Sequence, residues 1–150
     1  MSLGGHSVAR SWNEVALEAI RKDFARPVVH ARNLFHLSVA MYDAWALYDS
    51  VSTPYLTGRI AECSFQKIEF QGEKESAQIE AISFAAYRLL SHRFSQSPNA
   101  IQTITSFDSL FSSLGFDKNF VSIEDRESGI TAASAGNHAI ASAWAAKKLG

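Results

Sequence analysis

The chain has a single cysteine, Cys63, among its 150 residues, so an internal disulfide is excluded. Cys63 sits in a polar stretch, where a free thiol is the ordinary state, and it leaves the cellular compartment open. Charge of one sign is also missing. The formal net charge is -1 and no five like charges run together, which removes the electrostatic argument for nucleic acid or an anionic membrane as partner. No uninterrupted apolar run reaches the ~18 residues of a membrane span. The opening Met-Ser-Leu-Gly-Gly-His has neither the basic start nor the apolar centre of a secretory signal, and residues 1–7 are expected to be a disordered or appended start. Motifs of chemistry are scarce as well. No His-Glu-x-x-His occurs, no Glu precedes a His by three, and Cys63 has no partner for zinc, so no metal ligand set can be assembled. Gly-x-Ser-x-Gly and glycine-rich phosphate loops are absent too.

What is there is apolar and helical. Hydrophobic residues make up 47% and charged residues 19% of the chain, enough for one domain with a core and too apolar for disorder. Residues 8–150 are expected to form that single helical domain. The most telling stretch is residues 26–49, apolar almost all the way round, with Arg32 and Asp43 as the only formal charges between Pro27 and Tyr48. A helix without a wide polar face must be surrounded. Its internal Arg32, Asn33, His36 and Asp43 argue against a bilayer, so residues 28–49 are expected to be the central helix of an all-α bundle.

About five helices follow from the periodicity. The first starts near Val8, capped by Ser7 or Ser11, with Trp12, Val15, Ala16, Ala19 and Ile20 on one face. Pro27 suits the first position of the second helix. Two long irregular connectors, residues 55–72 and 116–129, separate the later helices; the Ser64–Phe70 stretch alternates weakly and could be extended. The third helix is expected over residues 74–94 and the fourth over residues 100–114. In the fourth, Ile101, Ile104, Phe107, Leu110, Phe111 and Leu114 form the core stripe and Gly115 ends it. Ser97-Pro98-Asn99 closes the third helix and caps the fourth. A last helix over residues 130–149 is rich in Ala, Ser and Gly. Small residues permit close approach, and it is expected to pack against the second helix.

Arg32, His36 and Asp43 fall within roughly a 40° arc of the second helix. One reading is a site, in which Asp43 or a neighbour orients His36 and Arg32 binds an anion. The preferred reading is a buried polar network that ties the helix to its neighbours, since buried charges persist only when paired. On that basis Asp43→Ala is expected to cost on the order of 3 kcal/mol by stranding a buried cation. His30 and Asn33 complete the polar cluster; His30 reads as a hydrogen-bonded interior histidine rather than a ligand. Glu14 and Glu18 read as a solvated face.

Several segments together resemble one family. They are Val8-Ala9-Arg10-Ser11-Trp12-Asn13-Glu14, Ala19-Ile20-Arg21-Lys22-Asp23-Phe24-Ala25-Arg26-Pro27, Val29-His30-Ala31-Arg32-Asn33-Leu34-Phe35-His36 and Ala40-Met41-Tyr42-Asp43-Ala44-Trp45. Ala81-Ile82-Ser83-Phe84-Ala85-Ala86-Tyr87-Arg88-Leu89-Leu90 and Gly136-Asn137-His138 continue the likeness. The chain resembles the N-terminal helical region of bacterial vanadium-dependent haloperoxidase-like proteins, relatives of the type 2 phosphatidic acid phosphatases. The resemblance covers residues 8–146 and is most specific between Trp12 and Trp45. It implies an all-helical fold, a longer parent protein, a vanadate cofactor and peroxide-dependent halide oxidation. It also implies relatives that are often exported. The family's oxyanion motifs are Lys, six residues, Arg-Pro; Pro-Ser-Gly-His; and Ser-Arg with a later His. Arg26-Pro27 is present, but Ala19 stands where the Lys belongs, and the other two motifs do not occur. No catalytic or vanadate-binding residue therefore carries over. Arg32, His36, Asp43, Asn33 and His30 are expected to brace a scaffold whose partner is the catalytic half of the same protein. A phosphatase-related fragment and a non-catalytic interaction module, which would include a homo-oligomer, are the alternatives.

Overall fold

The computed structural model describes residues 6–56 and 73–117. Within them the chain is all-helical, with α1 Val8–Arg21, α2 Pro27–Ala46, α3 Lys74–Arg93 and α4 Ala100–Ser113. The expected last helix and most of both connectors, including Cys63 and the Ser64–Phe70 stretch, lie outside the described residues.

Local chemistry sets the helix ends. Ser7 is the N-cap of α1, and its Oγ accepts the Arg10 N–H at 3.3 Å. Pro27 occupies the first turn of α2, where a missing N–H costs nothing. Asn99 stands at the N-cap of α4 but does not cap it; its side-chain amide donates instead to the Lys22 carbonyl at 3.0 Å. It thereby ties the α3–α4 turn to the α1–α2 turn. Beyond α4, Gly115 adopts a φ of +83°, a left-handed conformation that glycine takes without steric cost.

Successive helices run in alternating directions. The start of α1, the end of α2, the start of α3 and the end of α4 meet around one groove, and the two short turns lie at the opposite end. Helix α3 touches each of the other three. Its residues from Ala81 to Ala86 are all buried, which places it deepest in the bundle. Helix α2 packs on α3 and α1 and turns a flank outward: Val28 is 85% exposed, Phe35 49% and Tyr42 41%. An apolar composition therefore does not enclose α2 on every side. In α4 the buried face is Thr103, Phe107 and Phe111 at i, i+4, i+8, whereas Ile101 is 87% exposed and outside the stripe assigned from sequence.

The core is aromatic at its centre. Trp12 is fully buried and lies 6.4 Å from the Tyr87 ring and 6.3 Å from Phe111. Phe84 meets Phe111 edge-on at 4.9 Å. Edge-to-face pairs of this kind each add about 0.5–1.5 kcal/mol beyond their buried area. The Trp12 indole N–H still needs an acceptor, and Ser83 Oγ supplies it at 3.1 Å while donating to the Ile79 carbonyl at 2.8 Å. A hydroxyl in the most buried turn of α3 is thus fully used.

Candidate functional site

The polar groups of α2 divide into three separate arrangements. Asp43 is 2% exposed and faces the segment that follows the helix. Its Oδ1 accepts the Tyr55 N–H at 2.5 Å and its Oδ2 accepts the Leu56 N–H at 2.9 Å. Both carboxylate oxygens therefore accept a backbone amide. Burial pushes the Asp43 carboxyl above the usual carboxylate range, and the two amides oppose that rise. The expectation that Asp43 orients His36 or neutralises a buried cation is corrected here. The helical arc was read properly, but the returning chain presents two N–H donors that compete for the same oxygens.

His36 is buried and pairs across to α3. Its Nδ1 lies 3.0 Å from Arg93 Nη2. A guanidinium only donates, so Nδ1 is the acceptor and the ring proton sits on Nε2. Burial, then the charge of Arg93, then that of Arg32, hold the His36 imidazole below its ordinary value. Arg32 itself is exposed and acts on His36 and Arg93 as a nearby like charge. The Phe35 ring leans on the imidazole at 5.9 Å and meets Tyr55 edge-on at 6.0 Å. His36 thus takes a guanidinium on its acceptor nitrogen, an arrangement that fixes α2 against the end of α3.

His30 belongs to the third arrangement, at the α1–α2 turn. Its Nε2 donates to the Phe24 carbonyl at 2.8 Å and lies 4.0 Å from Asp23 Oδ2. Asp23 also takes Arg26 Nη2 at 3.0 Å. Burial alone would raise the Asp23 carboxyl; the Phe24 amide and the Arg26 guanidinium outweigh it and bring it below the usual range. Asn33 is buried, and its Oδ1 finds no hydrogen-bond partner. Of the five residues grouped from sequence, the structure brings Arg32 and His36 into one electrostatic neighbourhood and directs Asp43 and His30 elsewhere.

Two participants were missed from sequence. Arg93, a basic residue in the last turn of α3, supplies the donor to His36. Asp23 could have been found from its i, i+3 spacing to Arg26 beside the turn. Elsewhere, Tyr87 Oη donates to Asp108 at 2.6 Å, and burial followed by this carboxylate pushes the phenol up to about 12.

Vanadate or another tetrahedral oxyanion takes several convergent charged or amide donors. Here the Tyr55 and Leu56 amides are taken by Asp43, and Arg93 donates to an imidazole. Among the described residues these donors are turned to Asp43 and His36, and so engaged they do not fit a vanadate cradle. Among the described residues no three His, Cys, Asp or Glu side chains group as metal ligands, and no helix is long and apolar enough to cross a membrane. Comparison with known proteins finds no matching family model, no similar curated protein and no similar solved structure.

Proposed function

We propose that this chain is the N-terminal helical scaffold of a vanadium-dependent haloperoxidase-like oxidoreductase, with peroxide-dependent halide oxidation carried out by residues outside it. The family assignment rests on the sequence likeness between Trp12 and Trp45 and agrees with an all-helical fold. The scaffold role rests on one observation: Asp43 and His36, the groups best suited to acid–base work, are both engaged by partners within the chain. A general base needs a free lone pair within reach of a substrate proton. His36 has its lone pair on Nδ1 facing Arg93, and Asp43 faces two amides.

The test compares the 150-residue chain with the product of the whole reading frame. Bromide oxidation by hydrogen peroxide is followed after loading with orthovanadate. Activity in the longer product and none in the chain alone is the expected result. Vanadate-dependent turnover by these 150 residues would overturn the scaffold role. Phosphoester hydrolysis by the longer product, without halide oxidation, would select the phosphatase branch instead. A reading frame that stops at Gly150 would overturn the enzyme reading and favour a non-catalytic interaction module. One observation favours that second reading, namely the outward Val28, Phe35 and Tyr42 of α2.

A further inference from the structure

The two ends of the bundle differ in shape and in charge. At the turn end, Phe24 is 57% exposed and Val28, in the first turn of α2, is 85% exposed. Basic groups stand around them. Arg21 and Lys22 close α1, and Arg26 precedes α2 with its guanidinium 5.5 Å from the centre of the Phe24 ring. Two carboxylates share this end. The Asp23 side chain is only 3% exposed and is turned in toward His30 as well as Arg26, so the half-exposed guanidinium is the outer charge of that pair. Glu18 pairs with Arg21. The outward surplus is positive and comes from Lys22 and Arg26. At the opposite end lies the groove, about 960 Å³ in volume. Val8, Ile79 and Leu114 give it an apolar floor, while Asp49, Glu73 and Glu75 line it with Lys74 as its single lysine or arginine. Lys74 lies 3.3 Å from Asp49, and Glu73 and Glu75 are exposed at the rim.

We propose that the turn end of one copy of this chain docks into the groove of a second copy, with Phe24 and Val28 entering the apolar floor while Lys22 and Arg26 meet Glu73 and Glu75. Complementarity commits the groove to this occupant. An apolar projection ringed by basic groups matches an apolar recess rimmed by acidic ones, and opposite charge across a contact selects the partner and its register. Volume agrees, since the recess has room for both side chains. Position then sets the symmetry. The two surfaces lie at opposite ends of the bundle, so a copy whose turn end is docked still presents its groove to another. Such a contact is heterologous and adds copies in a row or a ring instead of pairing two face to face. The near-neutral total of -1 conceals the separation, because it sums over both ends. Head-to-tail pairing is independent of the haloperoxidase reading, since it uses only surfaces of this chain.

Light scattering on the 150-residue chain, from micromolar to millimolar concentration, tests it. The average mass is expected to climb past twice that of one chain and to fall back at about 1 M salt, where charges are screened within ~3 Å. Phe24→Asp with Val28→Asp removes the projection, and Glu73→Lys with Glu75→Lys reverses the rim. Each double variant alone is expected to stay monomeric. Mixed in equal amounts, the two are expected to form a dimer that grows no further, because one partner keeps a sound groove and the other a sound turn end. A natural chain that stays monomeric throughout overturns the proposal. So does a mass that stops at two copies, association that survives either double variant, or a mixture that stays monomeric. Should a double variant fail to fold by circular dichroism, Val28→Cys and Ser76→Cys, each with Cys63→Ser, decide. Under mild oxidation these two chains are expected to crosslink to each other faster than either does to itself. Faster crosslinking within one kind overturns the proposal.

Discussion

Replacing Asp43 separates two accounts of the same buried carboxylate. In the structure it closes the segment after α2 by accepting the Tyr55 and Leu56 amides. Asp43→Ala removes both acceptors. Leu56 is 4% exposed, so its N–H is left without water, at a cost of about 1–3 kcal/mol. Tyr55 is 36% exposed, so its N–H can be rehydrated, and the loss there is about 1 kcal/mol. The sum is about 3 kcal/mol, or a fall of ~1.5 M in urea midpoint for a slope of about 2 kcal/mol per molar. That total resembles the cost of stranding a buried cation, so magnitude alone does not discriminate. Asp43→Asn does. Asn can accept one amide, but its NH2 group confronts the other, and a loss of about 2 kcal/mol is expected. A double-mutant cycle with Arg32→Ala is expected to be additive within about 0.5 kcal/mol, because Arg32 is exposed and Asp43 is engaged with the backbone. Coupling above about 1 kcal/mol would refute this account and restore an Asp43–Arg32 pair. The pH dependence adds an independent check. The folded-state value lies above the ordinary ~3.9, so the folded state binds this proton more tightly than the unfolded state. The stability it contributes is full below about pH 4 and declines as pH rises through the folded value. The gap between the natural chain and Asp43→Ala is therefore wider at pH 4 than at pH 7. A gap that narrows on acidification would show that the amides outweigh burial.

Three further outcomes follow from the same geometry. His36 is held below its ordinary ~6.5, so its contribution is full above that value and is lost as pH falls below it; urea midpoints between pH 7 and 5 should drop in the natural chain and flatten in His36→Gln. Ser83→Ala leaves the fully buried Trp12 indole N–H without its acceptor and should cost about 1–3 kcal/mol in a denaturant melt; a silent Ser83→Ala would mean that the 3.1 Å bond contributes nothing. Gly115→Ala meets no atom within 4 Å of the added Cβ, so its cost should be purely conformational, about 1 kcal/mol, and a thermal melt that shows no loss would contradict the +83° φ.

Much of the bundle was legible because single residues fix local geometry. Ser7, Pro27 and Gly115 stand where a cap, a first turn and a left-handed stop require them, and the third and fourth helices keep their expected limits within a residue. What periodicity could not supply was rank. Helix α2 has the more apolar sequence, yet α3 lies deeper, because Ala77, Ala81, Ala85 and Ala86 let neighbours come close while Phe84 and Leu89 fill the space between them. Small side chains permit approach from several sides; large ones such as Phe35 and Tyr42 can remain outside with their apolar surface exposed. Ile101 makes the same point in α4, where Thr103 is buried in its place.

The polar cluster was legible as residues and not as partners. Helical spacing places Arg32, His36 and Asp43 on one arc, but an arc states only which way side chains point. Their partners come from Tyr55, Leu56 and Arg93, which are 12, 13 and 57 residues distant from the groups they meet. Two of the three donors are backbone amides, which every sequence carries and none advertises. This bears on function. A carboxylate that closes a loop and an imidazole that receives a guanidinium are both engaged within the bundle. Freeing either for chemistry would leave a buried donor unsatisfied, at a cost of about 1–3 kcal/mol. Such groups hold helices in place: Asp43 and His36 spend the contacts shown on the segment after α2 and on the end of α3.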